Sequence, residues 1–208
     1  MKNIIFDFDG PLFDSRTIAK DTLQDVFNKL QIPVVIDFDG LSLSSPEKMV
    51  TACIEKYDLY NIDAGRVFEI YYQELKNNEA MAKARCNIIG ILEQLKLKNY
   101  RLFVVSDRSE KRLKKIMKNM KILSFFEDVI GRERYGLKPL QGSAAYLKEK
   151  FEVFPKDTWM IGDTENDYLY AKEAGYYYAQ VSYSLEPATV SEEMFDLILK
   201  TEEDILKI

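Results

Sequence analysis

The 208-residue chain contains no histidine. That absence excludes a Ser-His-Asp triad, a Cys-His nucleophile pair, an H-E-x-x-H zinc site and a phosphohistidine. Acid–base chemistry near neutral pH must come from carboxylates, lysine, tyrosine or thiols. Cysteine is scarce as well. Cys53 and Cys86 are the only two, with no C-x-x-C spacing, which predicts free thiols in a reducing compartment. No apolar run is long enough to span a bilayer, and the run at Ile4–Phe8 is interrupted by acids too soon for a signal peptide. These features predict a cytoplasmic protein with no membrane partner. Positive charge is not in excess: 29 basic against 34 acidic side chains give a net charge of -5. A binder that works by neutralising duplex phosphates is therefore disfavoured, and no nucleic-acid partner is expected. The one basic run, Lys111–Lys121, falls at helical spacing and reads as a solvated helix face.

What is present is an ordinary globular composition, 47% hydrophobic, long enough for one domain carrying an insertion. Short apolar runs at Ile4–Phe8, Arg101–Val105, Asp128–Ile130, Thr158–Ile161 and Tyr176–Val181 read as buried strands. Amphipathic helices are predicted between them. One has its face at Ile88, Ile91, Leu92 and Leu95. Another starts after Ser109, and two more cover Gln141–Lys150 and Asn166–Ala174, the last closed by Gly175. Such alternation predicts an α/β fold with a central parallel sheet. Residues 16–81 differ. They read as mostly helical, with one face at Leu23, Val26 and Phe27, a start at Ser45-Pro46-Glu47, and a third helix through Val67, Tyr71 and Leu75. The expected organisation is a core of 1–15 and 82–208, with a helical insert at 16–81.

Ligands of open parallel sheets bind beyond the carboxyl ends of the strands. Three predicted strand ends carry polar residues there: Asp7 and Asp9, Ser106 and Asp107, and Asp163. The motifs DFDGPLFDS at 7–15, VVSD ending at Asp107, GLKP with Lys138 and GDTENDYLYAKEAG with Asp163 and Asp167 occur in that order. In this order and setting the chain resembles the haloacid dehalogenase-like (HAD) hydrolase superfamily, closest to its phosphoglycolate phosphatase and β-phosphoglucomutase-like branch. The resemblance covers almost the whole chain. It implies a Rossmann-like core with a small inserted helical cap domain. It also implies a Mg²⁺-dependent phosphatase acting on a small phosphorylated metabolite through an aspartyl-phosphate.

The resemblance assigns the roles residue by residue. Asp7 is the nucleophile. Asp9 is the general acid and then the base, and aspartate at this position favours phosphate esters over dehalogenation. Asp7, the backbone carbonyl of Asp9 and Asp163 are implied Mg²⁺ ligands, with Asp167 ligating directly or through water. Ser106 and Lys138 are implied to complete the phosphate site. Backbone N–H groups after Asp7, Gly10 among them, are expected to bind phosphate oxygens. Two positions depart from the family pattern. Pro11 stands where threonine or valine is usual, and Asp107 replaces the usual asparagine. Asp107 is carried as a candidate substrate contact. In the cap, Ser44, Ser45 and Lys48 are candidates for substrate recognition. A second DFDG at 37–40 lacks the Leu-x-Asp-Ser tail and reads as a turn between cap helices. Tyr168, Tyr170, Tyr176, Tyr177 and Tyr178 read as packing around the last strand. A phosphosugar mutase, which uses the same four motifs, is the alternative, although the recognition arginine of the mutase relatives is not evident. Nothing in the sequence specifies an oligomeric state.

Overall fold

The computed structural model describes residues 2–38, 41, 46–81, 84–183 and 194–208. Two compact units emerge, Met1–Asp14 with Lys83–Ile208, and Ser15–Ala82.

The first unit is built on a six-stranded parallel sheet. Its strands are β1 (Asn3–Phe6), β2 (Arg101–Val105), β3 (Asp128–Ile130), β4 (Thr158–Gly162), β5 (Tyr177–Val181) and β6 (Leu197–Leu199). Their spatial order is β3-β2-β1-β4-β5-β6. β1 pairs in parallel with both β2 and β4, Ile4 lying level with Leu102 on one side and Trp159 on the other. A strand flanked on both edges and covered on both faces must be apolar throughout. Ile4, Ile5 and Phe6 are accordingly all buried. On one face Ile5, Phe103, Val105, Met160 and Tyr178 share a single core. Strand order reverses at β1 and β4, so the ligand crevice of such a sheet lies at their carboxyl ends.

Helices in this unit are α4 (Ile88–Leu97), α5 (Glu110–Asn119), α6 (Arg132–Tyr135), α7 (Gly142–Phe151) and α8 (Glu165–Ala174), and a 3₁₀ turn closes the chain at Glu202–Lys207. Gly175 ends α8 at φ 71°, a left-handed cap that suits glycine. The strip Lys111–Lys121 lies mostly on α5, which turns Leu113, Ile116 and Met117 inward. Tyr168, Tyr170, Tyr176 and Tyr178 are buried in the core and Tyr177 is exposed, stacked on Trp159. The sequence reading contains no counterpart of β6, of α6 or of the 3₁₀ turns at Leu123–Phe125, Pro155–Asp157 and Glu202–Lys207.

The second unit contains α1 (Ser15–Lys29), α2 (Pro46–Lys56) and α3 (Ala64–Met81). Leu23, Val26 and Phe27 of α1 pack with Met49, Val50 and Cys53 of α2 and with Val67, Tyr71 and Leu75 of α3. Burial pushes the Cys53 thiol up to about 11, so it stays protonated as a core residue. Both cysteines are free. The second DFDG begins in an extended segment between α1 and α2. Asp37 pairs there with Lys56 at 3.0 Å, and Phe38 packs on the helical core. Asp39 and Gly40 lie outside the described residues, as do Ser44 and Ser45. No helix of the described residues is long and apolar enough to cross a membrane.

Candidate active site

Asp7 follows the last residue of β1, and its N–H donates to the carbonyl of Ile161 in β4 at 2.8 Å. This bond extends the sheet by one residue and fixes the direction of the Asp7 side chain. Ser106 follows β2 in the same way, its N–H donating to the Ile130 carbonyl at 3.0 Å. Asp163 follows β4. Three neighbouring strands therefore deliver three polar side chains to one edge of the sheet, and all three are buried.

Lys138 joins them from the loop after α6. Its Nζ donates to Asp7 Oδ1 at 2.6 Å and makes a very short bond to Asp167 Oδ1. The lysine is buried. Burial alone pushes its pKa down, but the charges of Asp167, Asp7 and Asp107 outweigh that and raise it. Its ammonium is held against the Asp7 carboxyl. The Asp7 carboxyl is driven well above its usual value, first by burial. Lys138 opposes the rise, while Asp167, Asp9 and Asp163 add to it.

Gly10 makes this crowding possible. It sits at φ 90°, and a Cβ there would overlap the Asp163 carboxylate. A β-carbon at Gly162 would likewise overlap the side chain of Asp167. The Gly10 amide is engaged within the loop. Its N–H donates to the Phe13 carbonyl at 2.9 Å, and its carbonyl accepts from Arg85 Nε at 2.6 Å. Pro11 suits this tight turn because Leu12 and Phe13 supply the N–H groups that return to Phe8.

Two further residues have structural partners. Asp107 Oδ1 accepts the backbone N–H of Lys138 at 2.8 Å. The departure from asparagine thus anchors the lysine's own peptide, a different task from touching substrate. Asp167 is fully buried at the start of α8. Its Oδ2 accepts from Thr164 N at 3.0 Å and Thr164 Oγ1 at 2.7 Å, within a reciprocal capping box, while Oδ1 takes Lys138. Both oxygens are engaged, so Asp167 supports Lys138, and with spare lone pairs it also stays in the candidate cation set with Asp7 and Asp163. Lys48 is exposed on α2 of the helical unit.

Three partners were not legible in the sequence. Arg108 forms a two-pronged ion pair with Asp9, Nε to Oδ2 at 2.6 Å and Nη2 to Oδ1 at 2.7 Å. Gln180 donates to the Asp163 carbonyl at 3.3 Å and accepts from Tyr178 at 2.8 Å, bracing the β4 loop from β5. Arg85, besides holding Gly10, lies over the Tyr183 ring at 5.1 Å.

A divalent cation fits this donor set. Asp7, Asp163 and Asp167 each offer a carboxylate oxygen, all within 4.8 Å of one another. Lys138 supplies one positive charge against these three buried acids. Hard oxygen donors with a deficit of positive charge suit Mg²⁺.

Phosphoglycolate phosphatase of Aquifex aeolicus is 28% identical over 187 residues, covering 84% of this chain and 82% of that protein. A candidate β-phosphoglucomutase from Thermotoga maritima superposes with a TM-score of 0.82 at 20% identity, over 100% of this chain and 97% of the other. A predicted phosphoglycolate phosphatase from Haemophilus somnus gives 0.77 at 23% identity, over 100% and 97%. At such identities the two structures speak for the fold alone. Residues 4–181 match the model of the haloacid dehalogenase-like hydrolases, and the chain belongs to that family.

Proposed function

We propose that the chain is a Mg²⁺-dependent phosphomonoesterase acting on a small phosphorylated metabolite. The observation that carries this reading is the meeting of Asp7, Ser106, Lys138 and Asp163 at the carboxyl ends of β1, β2 and β4, beside Asp9. Phosphoryl transfer needs an in-line nucleophile, positive charge and a proton for the leaving oxygen. Asp7 supplies the nucleophilic carboxylate, which attacks phosphorus and becomes the aspartyl-phosphate. Asp9 protonates the leaving alcohol, then activates the water that hydrolyses the phosphoaspartate. Lys138 neutralises the nucleophile and the transferred group, and the Ser106 hydroxyl donates to a phosphoryl oxygen. Asp7, Asp163 and the carbonyl of Asp9 would hold Mg²⁺, with Asp167 steadying Lys138. When bound, the ion supplies the positive charge that lets two anionic groups approach.

The helical unit Ser15–Ala82 is assigned the part of a cap that excludes water and selects the substrate, with the exposed Lys48 as a contact for it. The name of the Aquifex relative makes phosphoglycolate the first ester to try. The test is a panel of phosphorylated metabolites incubated with the protein and Mg²⁺, read as inorganic phosphate. The expected result is release from a small ester that ceases with EDTA and returns with Mg²⁺. Isomerised sugar phosphate with little free phosphate would establish the mutase instead. No turnover of any ester would overturn both.

A further inference from the structure

Asp9 is held by more than its place in the loop. A forked arginine–carboxylate pair fixes orientation as well as charge, because its two N–H bonds are parallel. Here both Asp9 oxygens are used, one by Nε and one by Nη2 of Arg108. Arg108 is itself located from several sides. Its N–H donates to Ser106 Oγ at 3.3 Å, and its carbonyl accepts from Arg132 N at 3.1 Å. Its guanidinium lies 5.7 Å and 5.5 Å from the ring centres of Phe8 and Phe13, which stack on each other in the nucleophile loop. The arginine thus rests on the loop whose acid it grips, and it ties the end of β2 to the end of β1. The pair keeps partial access to solvent, with side chains 17% and 33% exposed for Arg108 and Asp9.

We infer that Arg108 is a positioning residue that sets the orientation of the Asp9 carboxyl; the inference rests on the phosphomonoesterase reading. Two parallel bonds hold the carboxyl plane in one direction, where a single bond would leave it free to turn about Cβ–Cγ. Lysine cannot reproduce this geometry, since its ammonium is a point charge without a planar pair of donors.

The test is a double-mutant cycle with Mg²⁺ present, using p-nitrophenyl phosphate, whose phenolate departs without a proton, so that kcat reports the step in which Asp9 activates water. Arg108→Ala is expected to lower kcat about 100-fold with little change in KM, the loss typical of a misplaced catalytic group. In the Asp9→Asn background the same substitution is expected to change the rate less than about 2-fold, as coupled residues require. Arg108→Lys is expected to remain at least about 10-fold below the wild type. Arg108→Gln and thermal melts of every variant separate loss of folding from loss of rate. An equal loss in both backgrounds, a raised KM with kcat kept, or full recovery with lysine would each overturn the inference. Turnover by the wild type decides the phosphomonoesterase reading separately. Its absence overturns both, whereas equal losses with an active wild type overturn only the role of Arg108.

Discussion

Asp7 carries two opposed demands. In the proposed role of nucleophile it must be ionised, yet burial and three neighbouring acids favour its proton. The folded protein holds that proton more tightly than the unfolded chain does. Stability therefore falls as pH rises from the usual value of 3.8 through the raised one. Asp7→Asn removes the charge while keeping the shape. It should abolish turnover and, without divalent metal near pH 7, melt at or above the wild-type temperature. Phosphate release and a thermal melt check the two halves, and turnover by this variant would sink the mechanism. Asp7 and Asp163 were legible because each ends an apolar run. Arg108 was not, since nothing local in VVSDRS announces a partner 99 positions away in Asp9. Gly10 was legible as a residue of the loop but not in its task. Only the folded chain shows the Asp163 carboxylate filling the place of its missing Cβ.

Helix α8 shows how an element can serve a site while doing ordinary structural work. Thr164 and Asp167 cap its N-terminus reciprocally, and the free oxygen of Asp167 reaches Lys138. Loss of the cap hydroxyl in Thr164→Ala should cost about 1 kcal/mol. In a chain of this size that lowers the melting temperature by about 2–4 °C. Activity should fall as well, because Asp167 loses the bond that orients it; retained activity with the expected melt would mean that Lys138 holds itself. Asp107→Ala tests the other anchor of Lys138 and should lower kcat without unfolding the domain, read by initial rates beside circular dichroism. At this scale the sequence was informative where period and cap coincide, as at α8, whereas Ser109 before α5 makes no side-chain cap bond. It failed for β6, which is three residues long and follows a stretch without a period. It failed also for α6, a single turn between β3 and the Lys138 loop.

At the scale of the molecule, acids outnumber cations where substrate would bind. Added Mg²⁺ should raise the melting temperature, and more so near pH 7 than at about pH 4, where protonated carboxyls no longer ask for a counter-charge. Melts across Mg²⁺ concentration at the two pH values check this, and an equal shift at both would argue against binding at the Asp7–Asp163 cluster. The α/β class and the helical character of Ser15–Ala82 were legible from the change of period along the chain. Strand order was not, because pairing depends on which strands lie side by side, and periodicity is silent on that.

The central place of β1 also shapes how the protein is made. Its partners begin at Arg101 and Thr158, so Asn3–Phe6 leaves the ribosome long before either edge can be covered. The helical segment follows it out first and can condense on its own core. Until β2 and β4 arrive, the apolar N-terminal strand waits with both edges open, a state prone to wrong pairing. The same delay keeps Asp7 apart from Asp163. The two acids can meet only once β4 has paired with β1, so the strand pairing itself bears their repulsion.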